Sequence, residues 1–594
     1  MESGRTTRKM DGAQMAVLNA RLEGVVRKMA NTLLRTGRSG VINRARDFSC
    51  CIVTCDCELL TAADSLPIHV LSGPDLMARS MMNFHPELRQ GDAFLHNSPY
   101  HGCSHAADHT ILVPVIDSDG VHHFTVLAKA HQADIGNAVP TTYNGAARDV
   151  YEEGALIFAA TKVQQNYKSI DDIVRLCELR IRVPEQWRGD FLAMVGSARI
   201  GERELLKLGE ECGWDALQQF ARQWLDYSET RMAAVLRQVP SGEVTRTSTH
   251  DRLPGILEEE VNVAATVRTL PDEGSVFVDL TGNIDCVPCG LNVSEACART
   301  SAMIGVFNSI KSDIPKNAGS FRRIRIALRD GCIVGIPSHP HSCSAATTNV
   351  SDRIANAVQC AFAELADGYG MAEIGANLPA CRGVFSGYDN RTRSSFVNQV
   401  FLGASGGGAV ADTDCWLNYS HAGNGGMGFL DSVELAELYQ PIKVHRRMLL
   451  TDTEGAGRQR GAPGKYVEIS AVNNAVTVAF VTDGMDNPPL GVRGGGVGGA
   501  AKQMLRDARN CETALPACTV LTLEPGQLLL STTCGGGGYG LPWERDPALV
   551  KKDVSEGWIS SRRAAAVYGV EIDASGEIDP QQTQWRRAQM RNNR

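Results

Sequence analysis

From Met15 onward the apolar residues Leu18, Leu22, Val25, Met29 and Leu33 recur at three- and four-residue steps until Gly37, which predicts an amphipathic helix with a glycine stop. The pattern then changes. "DFSCCIVTC", "DAFLHN", "HTILVPVI" and "HFTVLAKAHQAD" are short, rich in β-branched and aromatic residues, and separated by Gly, Asp and Pro, so they read as strands of one sheet. Residues 170–239 return to helical spacing, with Leu217, Phe220, Trp224 and Tyr227 on one face, and end before Pro240. Two alternating segments follow, "VNVAATVRTL" and "SVFVDLTG", and then a helix after Asn349 for which Asn349 or Ser351 would be the cap. Past residue 400 glycine clusters ("GASGGGAV", "HAGNGGMG", "GVRGGGVGG", "CGGGGYG") predict turns, bulges and close backbone approaches in a strand-rich region. The expected fold class is mixed α+β with three regions. These are an N-terminal α/β region at 1–240, a central α/β region at 241–400 and a Gly-rich, β-dominated region at 401–594.

Composition narrows the function. A chain of 594 residues that is 43% hydrophobic has ample material for buried cores, and its net charge of -8, with dispersed Lys and Arg, offers no basic field for nucleic acid. No window reaches the roughly 18 apolar residues of a membrane span. The opening "MESGRTTRKMDG" lacks the apolar stretch of a signal peptide, so a cytoplasmic location is expected. The 18 Cys then read as reduced, mostly packed thiols.

The informative chemistry lies in the histidines, nine of the 14 falling between His69 and His131. "PYHGCSHAADHT" alone carries His101, His105 and His109 beside Asp108. Asp47, His105, Asp108 and His131 come from three segments that a sheet would bring together, and two imidazoles with two carboxylates suit zinc, manganese or iron. Such a site, with no thiolate, leaves room for a water acidified by the cation. Taken singly, an Asp at the position of Asp47 is more often a turn residue or cap, and a His at that of His131 more often a satisfied core or edge histidine. His101, His109, His122 and His123 read as mainly solvated or adjacent to the ligands. "CVPC", Cys286 to Cys289, has no second pair at zinc-ribbon distance, and Gly535 to Gly538 are not followed by the Lys-Ser/Thr of a phosphate loop.

The order of motifs resembles the hydantoinase B family almost end to end. That family includes the B-type subunits of ATP-dependent N-methylhydantoinases, one half of 5-oxoprolinases, and the large subunits of acetone and acetophenone carboxylases. "RARDFSCCIVTCDCELL", "LPIHVLS", "GDAFLHNSPYHGCSHAADHTILVPV", "AHQADIGN", "YEEGALIF", "TDTEGAGRQRGAPG" and "LEPGQLLLSTTCGGGGYGLPWERDP" carry the resemblance. It implies that Asp47, His105, Asp108 and His131 ligate a divalent metal. His69, Gln132 and Asp134 would lie beside the ligands or face substrate, with Asp134 the general base if it reaches the reacting water. The chain departs from the family pattern at Gln132, Ser104, Cys103 and Cys57, and in "HAGNGGMG".

The resemblance also implies a partner, an A-type ATPase subunit of acetate kinase and actin-like fold, in a hetero-oligomer. ATP would be used through that subunit, which phosphorylates the substrate, and the absence of a phosphate loop here agrees with this division. The leading expectation is the catalytic subunit of an ATP-dependent cyclic-amide hydrolase of hydantoinase or 5-oxoprolinase type. The alternative is a subunit of an ATP-dependent ketone carboxylase, since one scaffold serves both chemistries. A non-catalytic scaffold for the ATPase is the third reading.

Overall fold

The computed structural model describes residues 10–310, 313–375 and 378–592; the segment "MESGRTTRK" lies outside the described residues. The first predicted helix forms over Gly12–Thr36, started by a reciprocal cap between Asp11 and Gln14, and buries Leu22, Val25, Val26, Met29 and Leu33. The predicted strands assemble into one seven-stranded sheet. Its members are β1 (Phe48–Thr54), β2 (Leu59–Ala62), β3 (Ala93–His96), β4 (Asp108–Ile116), β5 (His122–His131), β6 (Thr161–Gln165) and β7 (Lys168–Ser169), in the order β2-β1-β5-β4-β3-β6-β7.

Both faces of this sheet are covered, which is why β1 and β4 read as nearly continuous apolar runs without alternation. One face, with Cys50, Ile52, Ala128, Val126, Ile111 and Val113, joins a core with the helices Gly12–Thr36 and Pro184–Cys212. The other, with Cys51, Val53, Leu127, Leu112 and Phe94, packs with Val70, Met77, Ala78 and Met81 of the helices Pro67–Val70 and Pro74–Phe84. All pairs from β2 through β3 are antiparallel, and their register places the site described below.

A second sheet, β8 (Gly242–His250), β9 (Val261–Leu270), β10 (Ser275–Asp279) and β11 (Ile324–Ala327), packs on the helix Val350–Leu365, which lies against the helix Glu295–Ser309. Asn349 stands at the N-cap of the helix Val350–Leu365, but neither it nor Ser351 caps it. The Asn349 side chain donates to His250 and to the Val481 carbonyl, and Ser351 shares a hydrogen bond with Ser301.

Packing runs across residues 240 and 400. One apolar core contains residues from Leu22 to Ala517, and the strands Val384–Asp389 and Ser394–Gln399 share a sheet with Val476–Val481 and Cys518–Leu523. Composition marks where the local pattern changes, whereas strand pairing is non-local and carries the sheet across the mark.

The glycine clusters of the last third are close backbone approaches. Amides of Gly535, Gly536, Gly537 and Gly538 donate to the carbonyls of Gly499, Ala462, Glu373 and Gly496, so this run is gripped by several segments at once. A Cβ on Gly536 would stand 1.9 Å from the Gly407 carbonyl oxygen, and one on Gly538 2.1 Å from that of Ala456. Only glycine fits such contacts.

Candidate metal centre

The register of three strands builds the site. Asp108 opens β4 and pairs with His131, the last residue of β5. The His131 amide donates 3.0 Å to the carbonyl of Asp47, which precedes β1. Asp47, His131 and Asp108 therefore form one row across adjacent strand ends, and residues opposite one another in an antiparallel pair share a face. His105 joins from the turn before β4, closed by the Asp108 amide donating to the His105 carbonyl. His69 joins from the helix Pro67–Val70.

Three ligand atoms converge. His105 Nε2, His131 Nδ1 and Asp108 Oδ1 stand 3.2 Å from one another, all in fully buried side chains. Ligand atoms about 2.1 Å from a tetrahedral ion are roughly 3.4 Å apart, so the triangle has the dimensions of one face of a metal polyhedron. The far nitrogens are committed: His105 Nδ1 donates to the Ser344 carbonyl at 2.8 Å, and His131 Nε2 shares a hydrogen bond with Thr142 Oγ1 at 3.0 Å. The carbonyl holds the His105 ring in the tautomer that turns a lone pair toward the triangle, and the hydroxyl fixes the orientation of the His131 ring. Among the described residues this is the one His/Cys/Asp/Glu cluster close enough for a metal.

Asp47 is adjacent but differently oriented. Its Oδ1 lies 3.5 Å from His69 Nε2, which is also 3.3 Å from Asp108 Oδ2, while His69 Nδ1 meets Ser49 Oγ at 3.2 Å. His69 thus bridges the two carboxylates behind the triangle. Ser104 also donates to Asp108 Oδ2, and the buried Lys129 ammonium donates 3.2 Å to Ser104 Oγ. Burial alone would push the Asp108 carboxyl up, but His105 and His69 hold it well below the usual carboxylate range. Burial likewise opposes a charge on His105, and Asp108 outweighs it, raising that imidazole.

The contacts of Gln132 and Asp134 lie elsewhere. Gln132 Nε2 donates to the Ala130 carbonyl and to Met194 Sδ, and Asp134 spends both oxygens on Arg182 and the Gly136 amide. A carboxylate so committed is held as an ion-pair anchor. His109, expected to be solvated or near the ligands, is a core residue against Trp187, and His123 stacks on Trp214 and pairs with Asp117. Sequence reasoning missed Tyr143, whose ring stacks on His131 at 5.2 Å, and Thr142 and Ser344, which orient the two imidazoles. Nothing in "TTYN" or "HSCSAA" distinguishes them, since their role depends on loops folded back from distant sequence.

The family described as Hydantoinase B/oxoprolinase matches residues 11–542. The beta subunit of caprolactamase from Pseudomonas jessenii is 29% identical over 98% of this chain and 99% of its own length. The B component of a putative D-/L-hydantoinase from Pseudomonas sp. (strain NS671) is 28% identical over 97% and 98%. The crystal structure of the ATP-dependent caprolactamase from Pseudomonas jessenii superposes with a TM-score of 0.87 at 27% identity, covering 98% of this chain and 100% of that one. Acetone carboxylase in its nucleotide-free structure gives 0.87 at 18% identity, over 99% of this chain and 84% of the other, a likeness of fold. The chain belongs to the Hydantoinase B/oxoprolinase family of enzymes.

Proposed function

We propose that this chain is the B-type catalytic subunit of an ATP-dependent cyclic-amide hydrolase, acting on a substrate that an A-type ATPase subunit of acetate kinase and actin-like fold has phosphorylated. The observation that carries the reading is the triangle of His105 Nε2, His131 Nδ1 and Asp108 Oδ1 with every outer nitrogen already committed. A divalent cation held there, with Asp47 as the further ligand in the same row, would acidify a water and neutralise developing oxyanion charge. His69 and Ser104 hold the second oxygen of Asp108, so the carboxylate presents one oxygen forward. Asp134 is held by Arg182 and the Gly136 amide, and Gln132 by the Ala130 carbonyl, so neither is assigned the reacting proton in this reading. The names of the relatives, a caprolactamase beta subunit and a hydantoinase B component, support the substrate class and the existence of a partner.

The chemistry divides between the two chains. Phosphorylation of the amide oxygen makes the ring carbon electrophilic, water adds there, the ring C–N bond breaks to an acyl phosphate and an amine, and a second water releases phosphate. The test is co-expression with the neighbouring ATPase gene, metal analysis, and ATP turnover with ε-caprolactam, hydantoin, 5-oxoproline, or acetone with bicarbonate. Turnover with a cyclic amide, and loss of most metal and activity in Asp108→Ala, is the expected result. Turnover only with acetone and bicarbonate refutes the hydrolase, and full metal occupancy in Asp108→Ala refutes the site.

A further inference from the structure

His421 and Asp352 form a second buried imidazole–carboxylate pair, in the "HAGNGGMG" segment that departs from the family pattern. His421 Nδ1 donates to Asp352 Oδ1 at 3.1 Å, and the Gly423 amide donates to the same oxygen at 3.0 Å. Both side chains are nearly inaccessible, 3% exposed. The pair keeps two unspent polar atoms. Among the described residues no hydrogen bond reaches His421 Nε2 or Asp352 Oδ2, and the latter is fully buried. Buried polar atoms without partners are rare because desolvation is uncompensated, and they mark places where a ligand completes the bonding.

Intervening side chains connect the pair to the metal centre. Ser420, next to His421, accepts 2.5 Å from Arg382 Nη1, and the Arg382 guanidinium lies within electrostatic reach of Tyr143, Asp47 and Asp352. Tyr143 stacks on His131 and packs at a tilt against His105. From His421 the chain runs across the site: a Cβ on Gly425 would lie 2.9 Å from Pro67, two residues before His69, and Phe429 stacks on Arg46, next to Asp47. Met427, Gly428 and Phe429 line a cavity of about 480 Å³ with Arg46, Phe48 and Leu66, next in sequence to Asp47 but lined neither by the candidate ligands nor by His421.

We propose that His421, oriented by Asp352, is the proton carrier of the ring-opening step, an assignment that rests on the hydrolase reading above. Water adds its oxygen to the activated ring carbon while its proton passes to His421 Nε2. The ring C–N bond then breaks as the new hydroxyl becomes the carbonyl, and the departing nitrogen takes up both water protons, the first from His421 Nε2 and the second released from that hydroxyl through the same imidazole, leaving acyl phosphate and free amine. The imidazole is restored, and its transient charge is balanced by the Asp352 carboxylate, as in other imidazole–carboxylate pairs. Asp352 Oδ2 remains as a buried anionic acceptor suited to the N–H of a cyclic amide.

The experiment uses the complex with its ATPase subunit and ε-caprolactam, hydantoin and 5-oxoproline as probes, comparing wild type with His421→Ala, His421→Gln and Asp352→Asn. Expected are full metal content in all variants, a fall in kcat of about 100-fold or more with KM changed little, and at least tenfold recovery of His421→Ala by added imidazole. Wild-type kcat in His421→Ala, loss of metal from both His421 variants, or a loss that imidazole does not restore overturns the assignment. A wild-type complex that turns over none of the three probes defeats the hydrolase reading, and the role of the pair falls with it.

Discussion

Asp108 and His109 are adjacent in the chain but point to opposite faces of β4, because side chains alternate along a strand. The row at that end of the sheet, Asp47, His131 and Asp108, faces the candidate metal centre, and His109 goes into the core beside Trp187. A histidine count along the chain therefore overstates the site. His96 shows the other fate of a buried imidazole. Its Nδ1 accepts from the Ala160 amide, and burial, aided by His101, pulls its pKa down to about 3. Because the folded pKa lies below the unfolded one, the unfolded chain binds the extra proton, so this stability is fully present above pH 6.5 and is lost as pH falls toward 3. Replacing His96 by Gln should flatten the acid side of a urea-stability profile by about 1.4 kcal/mol per pH unit over that window. An unchanged slope would mean that His96 is already protonated in the folded protein.

At the scale of elements, register is decisive. The pairing Phe48↔Ala130 and Asp108↔His131 brings Asp47 and Asp108 to either side of His131, and a slip of one residue would turn the whole set to the wrong face. Antiparallel pairing between β4 and β5, joined by only a few residues at Asp117 to Val121, makes that register a local property. The glycine run is the opposite case, held by segments far away in sequence. A methyl at Gly536 meets the Gly407 carbonyl oxygen at 1.9 Å, where both sides are backbone and cannot rotate away. Gly536→Ala should cost about 3 kcal/mol or more, read as a drop in the urea midpoint. A Gly526→Ala control changes an open turn with no atom within 4 Å of the added carbon, although its positive φ adds some strain.

Across the whole molecule, buried charge joins regions that composition separates. Arg353, on the central helix Val350–Leu365, donates to Asp483 at 2.8 Å and to the Asn487 carbonyl at 2.9 Å, and lies 3.4 Å from Glu373. Asp483 would be pushed up by burial, but Arg353 and His250 hold it low, so removing the guanidinium leaves a carboxylate without its counter-ion. Arg353→Met should destabilise the protein by about 3–5 kcal/mol and uncouple the C-terminal third from the central helix. Urea melts followed by fluorescence and by hydrogen exchange would test this, and retention of a wild-type midpoint would show that the ion pair is dispensable.

Much of this protein was legible without coordinates. Periodicity and turn chemistry located the first helix and the strands of the N-terminal sheet, because an amphipathic stripe or a buried strand constrains its own residues. Motif order identified the family, and the donor types a metal demands picked out Asp47, His105, Asp108 and His131, of which the last three converge within ligand distance of one another. What only tertiary structure decided is which of many histidines face one point, that Asp134 is spent on Arg182, that His69 joins two carboxylates, and that the apparent boundary at residue 400 lies within a sheet. Those outcomes depend on strand register and on contacts between segments hundreds of residues apart, and a side chain carries no local mark of the distant partner it will meet.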